Sequence, residues 1–225
     1  MADYEARVDT LAEELATVER VFRGLSADEW AKPTRLVPVD PDLPHWTVFE
    51  LAGHFDISIG LTKMLIDGRG DSQPARDRDR VSFFINPRSE TGPVVYEYAY
   101  TIVQGRTPEQ MPDVLAETFT QTIEACRTVP EGTVGPGYFA PMRIDEFAAS
   151  RIVEAVVHGL DLTLALGWAT VATPAGIAAT ASILDELLAR RTVGRRPVDL
   201  VDDLTWIMAA SGRADHPDNR LPLIG

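Results

Sequence analysis

The chain has 225 residues, 45% hydrophobic and 24% charged, enough for one sizeable globular domain or a domain with an extension. Its net charge of −13 repels phosphate backbones and anionic lipid, which argues against a nucleic-acid or membrane-surface role. A single cysteine, Cys126, excludes an internal disulfide; the acidic, amphipathic N-terminus does not read as a signal peptide, and no apolar run is long enough for a membrane span, so a cytoplasmic setting is expected.

The first predicted helix covers 3–24, with Val8, Leu11, Leu15, Val18 and Phe22 at the helical spacing of three and four and Gly24 at its end. Ser26-x-x-Glu29 is a capping box opening a short turn that carries Trp30, and four prolines make 32–45 a loop. Thr47-x-x-Glu50, a second capping box just after Trp46, opens a helix from 47 to 66. A polar connection (68–80) and an irregular stretch (81–92) with Asn86-Pro87 follow. Helices are predicted at 94–104, from Thr107-Pro108-Glu109 to 128, and at 144–166, the last ended by Gly167. Two more are predicted at 174–191 and 198–211, before an extended tail. Strand-like alternation is nearly absent. The chain therefore reads as all-α, an up-down bundle of long helices with additional C-terminal helices. The expected division is a bundle over 1–167 and a C-terminal helical extension over 168–225 packed on it.

Two stretches carry candidate chemistry. In "HWTVFELAGHFD", residues 45–56, His54 projects from an apolar face: Leu51, Ile57, Leu61, Met64 and Leu65 lie within about 80° of it on a helical wheel, with Asp56 and Lys63 opposite. A buried imidazole needs partners for both ring nitrogens, so His54 is either a core histidine satisfied by a carbonyl or hydroxyl, or a metal ligand. In "RIVEAVVHGLDL", residues 151–162, Glu154 and His158 stack four apart, and Arg151 and Asp161 extend the same stripe on a helix apolar nearly all round. That stripe is either an exposed salt-bridged face or a polar quartet turned into the bundle. Two histidines and a carboxylate on facing helices form the kind of metal site bundles build, with a coordination position left open on zinc; nickel or iron also suits the set. His45 and His216 sit in loops beside prolines, and Cys126 reads as a core residue.

"LSADEW…HWTVFELAGHFD", then "RIVEAVVHGLDLTLALG", and the tail "AASGRADHPDNRLPLIG" resemble the mycothiol-dependent maleylpyruvate isomerase family, within the DinB-like metal-binding helical bundles. The likeness spans most of the chain. It implies a four-helix bundle with a divalent metal held by His54, Glu154 and His158, and mycothiol as thiol cosubstrate. The implied activity is an isomerase or S-transferase acting on a small electrophile, an unsaturated compound or an epoxide, through the thiolate as nucleophile. Arg151 would clamp a substrate carboxylate or pair with Asp161 or another acid; Asp161 would orient a ligand histidine; Arg213 would contribute to the thiol pocket. The alternatives are a thiol-independent metal-dependent hydrolase and a non-catalytic small-molecule-binding bundle. A small-molecule substrate and a thiol, no nucleic acid, no membrane, and a monomeric or homodimeric state are the expected partners. The family's isomerases typically carry a distinct C-terminal domain, where this chain has only residues 168–225 after the bundle.

Overall fold

The computed structural model describes residues 2–38, 40, 42–68, 78–85, 88–136 and 140–224. Among them are eight α-helices: α1 (Ala2–Arg23), α2 (Ala27–Trp30), α3 (Val48–Asp67), α4 (Arg88–Ile102), α5 (Met111–Thr128), α6 (Ile144–Leu166), α7 (Pro174–Thr192) and α8 (Asp203–Ala210). Short 3-10 turns cover Ser82–Ile85 and Pro108–Gln110, the latter leading into α5. Two two-residue strands, β1 (Val134–Gly135) and β2 (Met142–Arg143), pair antiparallel just before α6.

The helices form where local chemistry favours them. The five-residue stripe of α1 is buried along its whole length, each side chain worth about 1.5–3 kcal/mol relative to exposure. Thr47 caps α3, its hydroxyl accepting from the Phe49 N–H at 3.2 Å, while the Thr47 N–H donates to Glu50 at 2.8 Å. Gly167 ends α6 with φ 74°, a left-handed conformation that glycine adopts without a Cβ penalty.

Helices α1, α3, α5 and α6 make the DinB-like four-helix bundle, with α1 and α3 each packed against both α5 and α6. Trp30 stacks on Phe22 at 5.4 Å and Phe55 meets Phe22 edge-on at 5.7 Å, so Phe22 of α1 joins α2 to α3. Helix α4 lies on α3, α7 on α6 and α1, and α8 on α7. The apolar core is continuous from Tyr4 to Leu223 and includes Trp206 and Ile207 of α8. No described helix is long and apolar enough to cross a membrane.

Several sequence expectations shift. Helix α4 starts at Arg88, before the Gly92-Pro93 pair expected to precede it, and Pro93 sits inside it. Only one turn precedes Pro93, and α4 is also held from the side, where Gly53 of α3 lets the Ala99 carbonyl and Val103 approach. Helix α8 begins at Asp203, five residues later than expected, because Asp202 is its N-cap, accepting from the Thr205 N–H at 2.8 Å. The two strands are too short to leave an alternating pattern. Asp56, read as a solvent residue, is covered by α5 and the α4–α5 connection, accepting from Arg106 at 2.8 Å and Thr118 at 2.5 Å. Asn86-Pro87 and most of the 68–80 connection lie outside the described residues.

Candidate metal centre

His54 comes from α3, and Glu154, His158 and Asp161 from α6, which packs against it. The polar stripe of α6 turns inward: the side chains of Arg151 and Asp161 are 3% and 0% exposed, and those of Glu154 and His158 only 17% and 16%. Ligand atoms of His54, Glu154 and His158 lie within 4.8 Å of one another. Nε2 of His54 and Nε2 of His158 each stand 3.4 Å from Oε2 of Glu154. That is long for a hydrogen bond. It matches the separation of two ligands on one tetrahedral zinc, since bonds of about 2.0–2.2 Å place ligand atoms about 3.3–3.6 Å apart. Two imidazole nitrogens and one carboxylate oxygen also fit the donor preference of a borderline divalent metal and leave a position open.

The surroundings differ from ligand to ligand. His158 is backed: its Nδ1 lies 2.9 Å from Oδ2 of Asp161. Arg213, from the turn after α8, donates through Nε to Oδ1 of Asp161 at 3.0 Å and through a second nitrogen to Oδ2. His54 is packed without such support. Its ring lies 5.3 Å from Trp46 and 4.4 Å from His158, and its Nδ1 is buried with no hydrogen-bond partner among the described residues. The indole N–H of Trp46 is likewise buried without a partner among the described residues. Tyr96 and Tyr100 of α4 continue the stack outward from Trp46. In the sequence Trp46 figures only as the residue directly before the Thr47 capping box; its packing on His54 is decided by the fold.

Arg151 sits between two rings, 4.7 Å from Phe83 and 4.5 Å from Phe147. It donates to the Ser58 carbonyl at 3.1 Å and to the Ser150 hydroxyl, and lies 3.8 Å from Glu154. Asp161 therefore pairs with Arg213, and Arg151 neighbours Glu154. His45 is exposed, His216 pairs with Asp199 at 3.0 Å, and Cys126 is buried; none joins the cluster.

Charge follows from these contacts. Burial pushes the Glu154 carboxyl up, but Arg151 and the two imidazoles outweigh it and hold the group well below its ordinary value. Burial and the neighbouring His158 lower His54, which keeps it neutral. Burial works against protonation of His158 as well, yet Asp161 and Glu154 raise it overall. Burial opposes ionisation of Asp161 and is overcome by His158 and Arg213.

No curated protein and no solved structure matches the chain. Residues 11–163, which carry the whole His54/Glu154/His158 set, match the model of the mycothiol maleylpyruvate isomerase N-terminal domain, and the chain belongs to that family of metal-binding helical bundles.

Proposed function

We propose that the chain is a metal- and thiol-dependent enzyme, an isomerase or S-transferase that uses mycothiol on a small unsaturated or epoxide electrophile. The observation that carries this reading is the convergence of His54, Glu154 and His158 on one point at spacings suited to a divalent ion. Zinc is the first candidate, with nickel and iron as alternatives. A divalent cation in this set supplies Lewis acidity that lets a thiol ionise near neutral pH.

The residues around the set favour an anionic partner. Glu154 is balanced by Arg151 and Asp161 by Arg213, while His54 is neutral. With both imidazoles neutral, as metal ligation requires, the shell is close to charge-neutral, and a dication leaves excess positive charge in a mostly buried place. A ligand that becomes an anion on losing a proton, as a thiol does, offsets that excess. Arg151 holds Glu154 ionised, Asp161 takes the Nδ1–H of His158, and Trp46 with Phe55 walls the imidazoles from water.

Elemental analysis of protein purified without chelator, beside His158→Ala, tests the metal half. About one divalent ion per chain, lost in the variant, is expected; no uptake from any of zinc, nickel or iron overturns it. Turnover of an electrophile that requires added thiol is expected next. Hydrolysis by the metal-loaded, thiol-free protein would remove the thiol from the reading.

A further inference from the structure

The residues that match the family model end at 163, yet Arg213, outside them, grips Asp161, the carboxylate behind His158. Helix α8 closes with Gly212 in the left-handed region (φ 67°), and the chain turns back so that the Arg213 N–H meets the Met208 carbonyl at 2.6 Å. The tail is tied to the same turn, since the N–H groups of Leu223 and Ile224 both donate to the Ala210 carbonyl, at 2.7 and 3.2 Å. This fixes the backbone from which Arg213 extends. Its side chain, 4% exposed, donates to the Ser211 carbonyl at 2.6 Å and grips both oxygens of Asp161, 52 residues earlier in the chain.

The fork matters for what Asp161 can do. Oδ2 of Asp161 accepts from Arg213 and also faces His158 Nδ1 at 2.9 Å. A carboxylate held at both oxygens by a planar guanidinium cannot rotate away, so it keeps a proton of His158 on Nδ1 and reserves Nε2, 3.4 Å from Glu154, for an ion held between the two. Among the described residues His54 has no equivalent support, its Nδ1 meeting no hydrogen-bond partner. The oriented ligand of the set is therefore the one backed from the C-terminal segment.

We propose that Arg213 is a positioning residue: acting through Asp161 it fixes the tautomer and orientation of His158, so that the C-terminal segment sets how tightly the bundle holds its metal. The inference rests on the metal reading above. It departs from the expectation that Arg213 contacts the thiol.

The test uses the full chain loaded with Co(II), whose visible spectrum reports the ligand field, with affinity measured by competition against a chelator. Arg213→Met is expected to weaken Co(II) and Zn(II) binding about 10–100-fold and to shift the Co(II) bands. Arg213→Lys, which keeps the charge but loses the paired fork, is expected to fall between that variant and the wild type. It decides the matter if Arg213→Met does not fold by far-ultraviolet circular dichroism. Arg220→Met is the control, because Arg220 lies on the same tail and binds Asp218 instead. Its affinity and spectrum are expected to match the wild type. Wild-type affinity and spectrum in the folded Arg213 variants overturn the inference, as does an equal loss in Arg220→Met, which would mean general docking of the tail. A wild-type chain that takes up no cobalt brings down the metal reading itself, a distinguishable result.

Discussion

Two glycines adjoin the two candidate histidine ligands, and the structure predicts opposite outcomes when each becomes alanine. In a helix interior alanine is favoured over glycine by about 1 kcal/mol, so propensity alone stabilises both variants. At Gly159, beside His158, an added Cβ meets Val18 at 3.7 Å, an ordinary contact, and propensity prevails. At Gly53, beside His54, it meets the Ala99 carbonyl oxygen of α4 at 2.6 Å and Val103 at 2.8 Å. The carbonyl is helix backbone and cannot swing aside, so α4 must retreat by about 0.8 Å to restore a normal contact, and overpacking of this kind costs about 1–3 kcal/mol. Taking the upper figure because backbone must move, the net loss is about 2 kcal/mol. For a chain of this size 1 kcal/mol moves Tm by about 2–4 °C, so Gly53→Ala should melt about 4–8 °C below the wild type and Gly159→Ala about 2–4 °C above it. Thermal denaturation of the metal-free proteins reads both. A Gly53→Ala protein at or above wild-type Tm would falsify the close α3–α4 approach.

Glu154→Gln leaves the buried Arg151 cation without its carboxylate; a loss of about 3 kcal/mol is expected in the metal-free protein, seen as a drop in the urea midpoint, and an unchanged midpoint would show that Arg151 is balanced elsewhere. Cys126 is buried and its thiol is pushed up to about 11, by burial, so a thiol-specific alkylating reagent at pH 8 should leave the native chain untouched and modify it once in denaturant; native-state labelling would contradict its placement in the core. Glu14 on α1 accepts from the Thr173 N–H at 2.7 Å at the start of α7, and burial raises its carboxyl despite that bond. A raised carboxyl holds its proton more tightly when folded, so its contribution is fully present below the unfolded value near 4.5 and is lost as pH rises through the folded value. Urea titrations should show the wild type gaining on Glu14→Gln as pH falls from 7 toward 4.5, and parallel pH curves for the two would refute it.

Much of the fold was legible because helix signals are local. The apolar stripe of α1, the Thr47 capping box and the Gly167 stop each occupy a few neighbouring residues, and the helices formed there. Misjudged ends have equally local causes once the structure is seen: Asp202 outcompeted Val198 as a helix start, and Pro93 was tolerated one turn into α4. Asp56 was misread because a wheel assumes one buried face, whereas α3 has α4, α5 and α6 packed around it.

For the site, the sequence by itself determined which residue types were present and that Glu154 and His158 share a helix face, because a four-residue spacing fixes that geometry. Tertiary structure alone decided the rest. It set His54 and Glu154, 100 residues apart, within 3.4 Å, gave Asp161 to Arg213, left Arg151 beside Glu154, and brought α4 against Gly53. Those pairings depend on how helices pack and which rotamers that packing permits, and neither follows from a period of 3.6 residues.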